Sequence, residues 1–289
     1  MRTLTAEGIT SSALARISAS PNPRLKHIIR SLIKHLHAFA REVELTPEEW
    51  FAGIQFLTDA GHITDEKRQE FILLSDTLGL SALVDLMANE AGESGATDSS
   101  LLGPFFREGA PRFPMDADIS NGASGEKMKV IGRVLNRDGR PIPNATIDTW
   151  QSSSDGIYDL QQADSDAMNF RGQFRSGADG RFRFRSVKPS SYPVPADGPV
   201  GKMLRALARH PYRPAHVHFK IAAPGYKTLT TALYLAGDPY LDSDVVFGAR
   251  KSLVVRFRHS GANGASPDTI EFDFVLNPDR ARKVRSAKR

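Results

Sequence analysis

Lys129-Val130-Ile131-Gly132-Arg133-Val134 carries the reading that decides the fold, together with Thr146-Ile147-Asp148-Thr149-Trp150 beyond the turn residues Asp138-Gly139-Arg140-Pro141. Apolar and polar residues alternate in both runs, the period of a half-buried strand, and Asp-Gly and Pro between them mark a turn. Arg181-Phe182-Arg183-Phe184-Arg185 alternates strictly, as do parts of 216–221 and 269–276. Short strands separated by Gly, Pro and Asp turns predict an antiparallel β-sandwich or barrel from about residue 125 onward.

Upstream the period is different. Leu25, Ile28, Ile29, Leu32, Ile33, Leu36 and Phe39 recur at three-to-four spacing, the stripe of an amphipathic helix. Thr46-Pro47-Glu48-Glu49 reads as a capping box opening a second helix through Trp50, Ile54, Phe56 and Leu57. Thr64-Asp65-Glu66-Lys67 reads as another cap, before a stretch through Phe71, Leu73 and Leu74 that breaks near Gly79. The fold class expected is therefore α+β. Residues 1–105 form a helical N-terminal domain, with a Gly- and Pro-rich joint over 99–118 and a linker reaching about 124. Residues 125–289 form the sandwich, ending in a basic tail.

With 289 residues, 40% of them hydrophobic and 25% charged, the chain can bury a sizeable core. It has no cysteine, which removes disulfides, thiolate metal sites and cysteine nucleophiles and suits a reducing compartment. The formal net charge is +5, but six of the 38 basic residues lie in the last ten positions, the pattern of a solvated tail. No recognition-helix or RNA-binding signature accompanies it, so no nucleic-acid partner is expected. The N-terminal residues lack a signal-peptide core and no apolar run approaches 18 residues, so the expectation is a cytoplasmic protein not inserted in a membrane.

Arg213-Pro214-Ala215-His216-Val217-His218-Phe219 is the strongest chemical signal. Residues i and i+2 of a strand share a face, so His216 and His218 can reach one cation; they can equally be packed histidines. No H-E-x-x-H occurs, and a structural zinc site is disfavoured without cysteine. Tyr158 lies in a polar loop after Trp150, and Tyr192 among prolines in Pro189-Ser190-Ser191-Tyr192-Pro193-Val194-Pro195. Either ring alone reads first as packing. Phenol ionises near pH ~10, so a tyrosinate ligand at neutral pH demands a strongly Lewis-acidic, oxygen-seeking cation, which iron(III) is.

At these residues the chain resembles the intradiol ring-cleavage dioxygenases, in their catechol and hydroxyquinol branch. The resemblance covers nearly the whole chain. It rests on Arg68–Ser81, Leu102-Gly103-Pro104-Phe105-Phe106 with Glu108-Gly109-Ala110-Pro111, Asp155-Gly156-Ile157-Tyr158, Tyr192–Gly201 and Arg213–His218. It implies one non-haem iron(III) per chain held by Tyr158, Tyr192, His216 and His218, with a hydroxide completing the resting sphere. Tyr158 and His216 would be equatorial, Tyr192 and His218 axial. It further implies a homodimer formed by the helical segment, with a bound phospholipid at that interface.

Tyr192 and Arg213 would be the catalytic side chains, the first accepting a substrate proton and the second stabilising charge that develops on the ring. The substrate pocket implied comprises Leu80, Leu83, Gly103, Pro104, Phe105, Val194, Arg213, Val246 and Phe247. Leu102–Phe106, Glu108–Pro111 and Gly237-Asp238-Pro239-Tyr240-Leu241-Asp242-Ser243-Asp244 look more like hydroxyquinol than catechol enzymes. The expected reaction is cleavage of benzene-1,2,4-triol by O2 between its adjacent hydroxylated carbons, giving 3-hydroxy-cis,cis-muconate or maleylacetate. Catechol or chlorocatechol is the alternative substrate. One departure is Ala232, where catechol members carry a glutamine. Outside this class stand a metal-free sandwich binding module and a zinc hydrolase built on His216 and His218.

Overall fold

A computed structural model describes residues 5–66, 68–90, 95–162, 167–259 and 267–279. The basic tail, 280–289, lies outside the described residues. Two compact units divide the chain, residues 1–59 and 60–289.

The first unit holds α1 (Gly8–Arg16), α2 (Pro23–Glu42) and most of α3 (Pro47–His62). Asn22 caps α2 by accepting from the Leu25 amide, with Pro23 at the first helical position. The capping box at Thr46 forms as expected: the Thr46 amide donates to Glu49 Oε2 at 3.0 Å and the Glu49 amide to Thr46 Oγ1 at 3.2 Å. The α2 stripe is helical as read, yet Leu25, Leu32, Leu36 and Phe39 are each about half exposed.

The second unit begins with α4 (Glu70–Thr77) and α5 (Leu80–Glu90), broken at Gly79, whose φ of 78° suits glycine. The cap expected at Thr64 does not open a helix. Asp65 and Arg68 instead close a turn, Asp65 N to Arg68 O at 2.8 Å and Arg68 N to Asp65 Oδ1 at 2.7 Å. Glu70 starts α4 with its carboxylate buried, where it accepts from the Val200 amide at 3.0 Å. Thr64 itself is spent on the preceding helix, its hydroxyl donating to Ala60 O at 2.7 Å.

Two sheets face each other. One runs β10 (Asp268–Val275), β1 (Lys127–Leu135), β4 (Arg181–Val187). The other runs β3 (Arg171–Arg175), β2 (Thr146–Gln151), β7 (His216–Ala222), β8 (Leu229–Leu235), β9 (Val254–Val255). Pairing is mostly antiparallel; β1 with β10 and β8 with β9 are parallel. Between the sheets lie Met128, Val130, Phe182, Phe184, Ile270 and Phe274 from one side and Ile147, Phe174, Val217, Phe219, Ile221 and Leu233 from the other. Burying a side chain of this size contributes about 1.5–3 kcal/mol. Gly132 leaves room for the ring of its strand neighbour: a Cβ there would sit 2.1 Å from Phe182 Cζ.

The joint is stitched to both sheets. Ser100 N donates to Thr230 O, Phe113 N to Gln173 O, and Asp116 N to Arg183 O, at 2.9–3.0 Å. Among the described residues no single helix is long and apolar enough to cross a membrane.

Candidate metal centre and substrate cleft

Strand β7 sorts its side chains by parity. Val217, Phe219 and Ile221 enter the sandwich core, so His216 and His218 must emerge on the opposite face. Both are 1% exposed. Trp150 of β2, the cross-strand neighbour of His218, stacks on its ring at 4.7 Å and 5°, while Ala232 of β8 lies across from it on the other side.

Tyr158 is fully buried and is gripped from both sides. Before it, the Ser153 amide donates to Ile157 O at 2.9 Å; after it, Gln161 Oε1 accepts the Tyr158 amide at 2.9 Å and Gln161 N donates to Tyr158 O at 3.0 Å. The next residue, Asp159, forms a bidentate pair with Arg171 of β3, both essentially without solvent. Phe105 stacks on the Tyr158 ring at 4.3 Å.

Tyr192 and Arg213 face each other on a two-residue ladder, β5 (Tyr192–Pro193) against β6 (Tyr212–Arg213). Downstream, α6 (Pro199–Ala206) anchors the proline-rich loop.

The four predicted ligands come together. His216 Nε2 lies 2.9 Å from His218 Nε2 and 3.5 Å from Tyr158 Oη. The Tyr192 ring meets Tyr158 edge-on at 5.2 Å and His216 at 5.7 Å. His216 Nδ1 donates to Pro214 O at 2.6 Å, which leaves the Nε2 lone pair facing the site. His218 Nδ1 is buried with no partner.

The electrostatics keep both imidazoles and the Tyr158 phenol neutral. Burial, then the nearby Arg213 guanidinium, push His216 down to about 3, and burial with His216 and Arg213 holds His218 well below its ordinary value. Both imidazoles are neutral lone-pair donors at pH 7. Burial and the neighbouring Tyr192 push the Tyr158 phenol well above its ordinary value, against Arg213 and Arg171. A phenolate forms there only if a Lewis acid binds it. Two neutral imidazoles and two phenols, a donor set without thiolate, fit a hard trivalent ion. Among the described residues no cluster of three or more His, Cys, Asp or Glu offers a conventional alternative.

Beside this centre is a narrow cleft lined by Leu73, Asp76, Leu101, Gly103, Pro104, Phe105, Tyr192, Val194, Pro195, Arg213 and Val246. An outer space shares Leu73, Asp76, Pro104, Phe105 and Pro195 with it and forms a vestibule. Of the residues named for the pocket, Gly103, Pro104, Phe105, Val194, Arg213 and Val246 line this cleft. Leu80 and Leu83 are more than half exposed and do not line the cleft, and Phe247, also half exposed, flanks Gly79 instead. The helical side of the cleft comes from Leu73 and Asp76, seven residues earlier on α4. Asp76 is the residue sequence reasoning missed, a carboxylate three positions from Leu73 on the same helix face. Burial raises its pKa, against Ser81 and Arg213.

Residues 101–278 match the family model described as dioxygenase, and residues 22–96 the one described as the catechol dioxygenase N terminus. A 6-chlorohydroxyquinol 1,2-dioxygenase from Cupriavidus pinatubonensis is 51% identical over 93% of this chain and 96% of its own. A hydroxyquinol 1,2-dioxygenase from Nocardioides simplex is 46% identical over 94% and 95%. The crystal structure of hydroxyquinol 1,2-dioxygenase from Pseudomonas putida superposes with a TM-score of 0.87 at 44% identity, covering 95% of this chain and 99% of that one.

Proposed function

The chain belongs to the intradiol ring-cleavage dioxygenase family, and from that premise we propose that it opens the ring of benzene-1,2,4-triol between the two adjacent hydroxylated carbons, using one iron(III) per chain. Both atoms of O2 enter the product, 3-hydroxy-cis,cis-muconate or its tautomer maleylacetate, so no external reductant is required.

The observation that carries this reading is the convergence of Tyr158, Tyr192, His216 and His218, two of whose nitrogens lie 2.9 Å apart. These four side chains would hold the iron. Held there, ferric iron would supply the Lewis acidity that favours ionised phenols and makes the ring of the diol reactive toward O2. Tyr192 Oη accepts one substrate proton, and Arg213 Nη1, 3.5 Å from that oxygen, steadies the negative charge that develops beside it. Leu73, Phe105, Val194 and Val246 clamp the planar ring and exclude water. Asp76 gives the cleft a buried acceptor for a third hydroxyl, which favours the triol over catechol.

The helical segment through about residue 105 is the dimerisation half in this reading. The exposed Leu25, Leu32, Leu36 and Phe39 of α2 and Trp50 and Phe51 of α3 supply the apolar surface for a partner copy and for a phospholipid. A cytoplasmic location belongs to the same proposal.

Oxygen uptake with the triol, 6-chlorohydroxyquinol, catechol and chlorocatechols tests the substrate. The triol is expected to be consumed fastest. Faster uptake with catechol overturns the substrate and leaves the chemistry intact; a colourless, iron-free protein inert with all four overturns both.

A further inference from the structure

Arg213 is held by more groups than its own burial requires. It is 3% exposed, and Nη1 reaches toward the centre, 3.5 Å from Tyr192 Oη and 3.2 Å from His216 Nε2. The remaining donors point away from the centre into a fixed frame. Nε donates to Asp244 Oδ1 at 3.2 Å, and Nη2 to Asp244 Oδ2 at 3.3 Å and to Tyr234 Oη at 3.1 Å.

The frame is itself locked. Asp244 also accepts the amides of Val246, Gly248 and Ala249 at 3.3, 3.0 and 3.0 Å. Tyr234 Oη bonds Ser100 Oγ at 2.8 Å, and that hydroxyl donates to Gly248 O at 3.0 Å. Gly248 closes the circle by lacking a side chain. A Cβ there would stand 2.8 Å from Arg213 Nη2, 2.9 Å from Tyr234 Oη and 3.2 Å from Asp244 Oδ2. Its φ lies outside the left-handed region, so glycine is needed for room rather than for conformation.

We propose that Asp244, Tyr234 and Gly248 are positioning residues, a cradle that sets the direction of the Arg213 guanidinium toward the substrate ring. Because the carboxylate that holds Arg213 also ties down the 246–249 backbone, the same cradle registers that guanidinium against the cleft wall at Val246. The inference rests on the role given to Arg213 above. Asp244 alone would support either positioning or simple folding, since it satisfies five donors. Gly248 separates the two, because the atoms nearest its added methyl are the far ends of three side chains, Arg213, Tyr234 and Asp244.

The test is a double-mutant cycle of Gly248→Ala with Arg213→Ala, read by iron content, the visible tyrosinate-to-iron band, and kcat and KM for the triol. Gly248→Ala should keep iron and colour, leave KM within about twofold and lower kcat roughly ten- to hundredfold, the scale of an ångström-sized misplacement. In the Arg213→Ala background the methyl has no guanidinium to push, so it should add less than twofold. Should Gly248→Ala not fold, Tyr234→Phe removes a single oxygen and runs through the same cycle, with an expected three- to tenfold loss of kcat. A wild-type kcat in Gly248→Ala, or a loss that multiplies with that of Arg213→Ala, overturns the cradle. Wild-type turnover in Arg213→Ala alone overturns the role of the arginine, and the cradle with it.

Discussion

Arg171→Met breaks a buried ion pair without leaving a hole. Arg171 and Asp159 are 2% and 1% exposed, joined by two parallel hydrogen bonds, and Asp159 follows directly on Tyr158. Removing one partner of such a pair leaves an uncompensated buried charge, which costs about 3–5 kcal/mol. Here the lower end applies, because Arg107 Nη1 stands 3.6 Å from Asp159 Oδ2 and keeps part of the compensation. A loss of about 3 kcal/mol lowers Tm by roughly 6–12 °C in a unit of this size. Asp159→Leu with Arg171→Met replaces both ions by apolar groups and should return stability to within about 1 kcal/mol of the parent, since both desolvation penalties disappear. Calorimetry on the metal-free proteins reads the two Tm shifts, and iron content after reloading reads the position of Tyr158. Iron binding should weaken in both variants, because the turn behind Tyr158 has lost its tether in each. A single variant within 2 °C of the parent, or a double variant less stable than the single one, refutes the reasoning.

Asp76→Asn should lower kcat/KM for the triol by more than for catechol. Burial raises the Asp76 pKa, so the folded chain holds a proton that the unfolded chain releases. Its stabilising contribution is present in acid and is lost as pH rises above the ordinary aspartate range near ~4. The Asn variant should therefore be the more stable protein at pH 7, with the difference vanishing by about pH 3 in pH-dependent melting. Gly132→Ala drives a methyl into the Phe182 ring, should cost about 1–3 kcal/mol, and should be partly relieved by Phe182→Leu in thermal denaturation. Tyr192→Phe should reduce turnover roughly 10²–10⁴-fold in oxygen uptake if its oxygen accepts the substrate proton; unchanged turnover contradicts that role.

Period-2 alternation located the sandwich strands, because each strand buries one face and the pattern is a direct record of that burial. It also delivered the site's logic: once Val217, Phe219 and Ile221 point inward, His216 and His218 have no choice of face. The tyrosines were legible only through resemblance, since loop sequence does not say where a loop closes in space. The link from Asp244 and Tyr234 to Arg213 left no local signal, because those bonds span 31 and 21 positions. The cap at Thr64 failed because its hydroxyl donates back to Ala60 O and closes the preceding helix instead. Asp76 carried a signal, a carboxylate one turn after Leu73 on the same helix face, that placing the wall at Leu80 and Leu83 passed over.

Anomalous diffraction on either side of the iron absorption edge, from crystals of protein purified without chelator, reaches the claim directly. A single iron peak per chain is predicted, seated among Tyr158 Oη, Tyr192 Oη, His216 Nε2 and His218 Nε2. A peak that appears only at the zinc edge, or iron bound anywhere else with these four side chains pointing apart, contradicts the account.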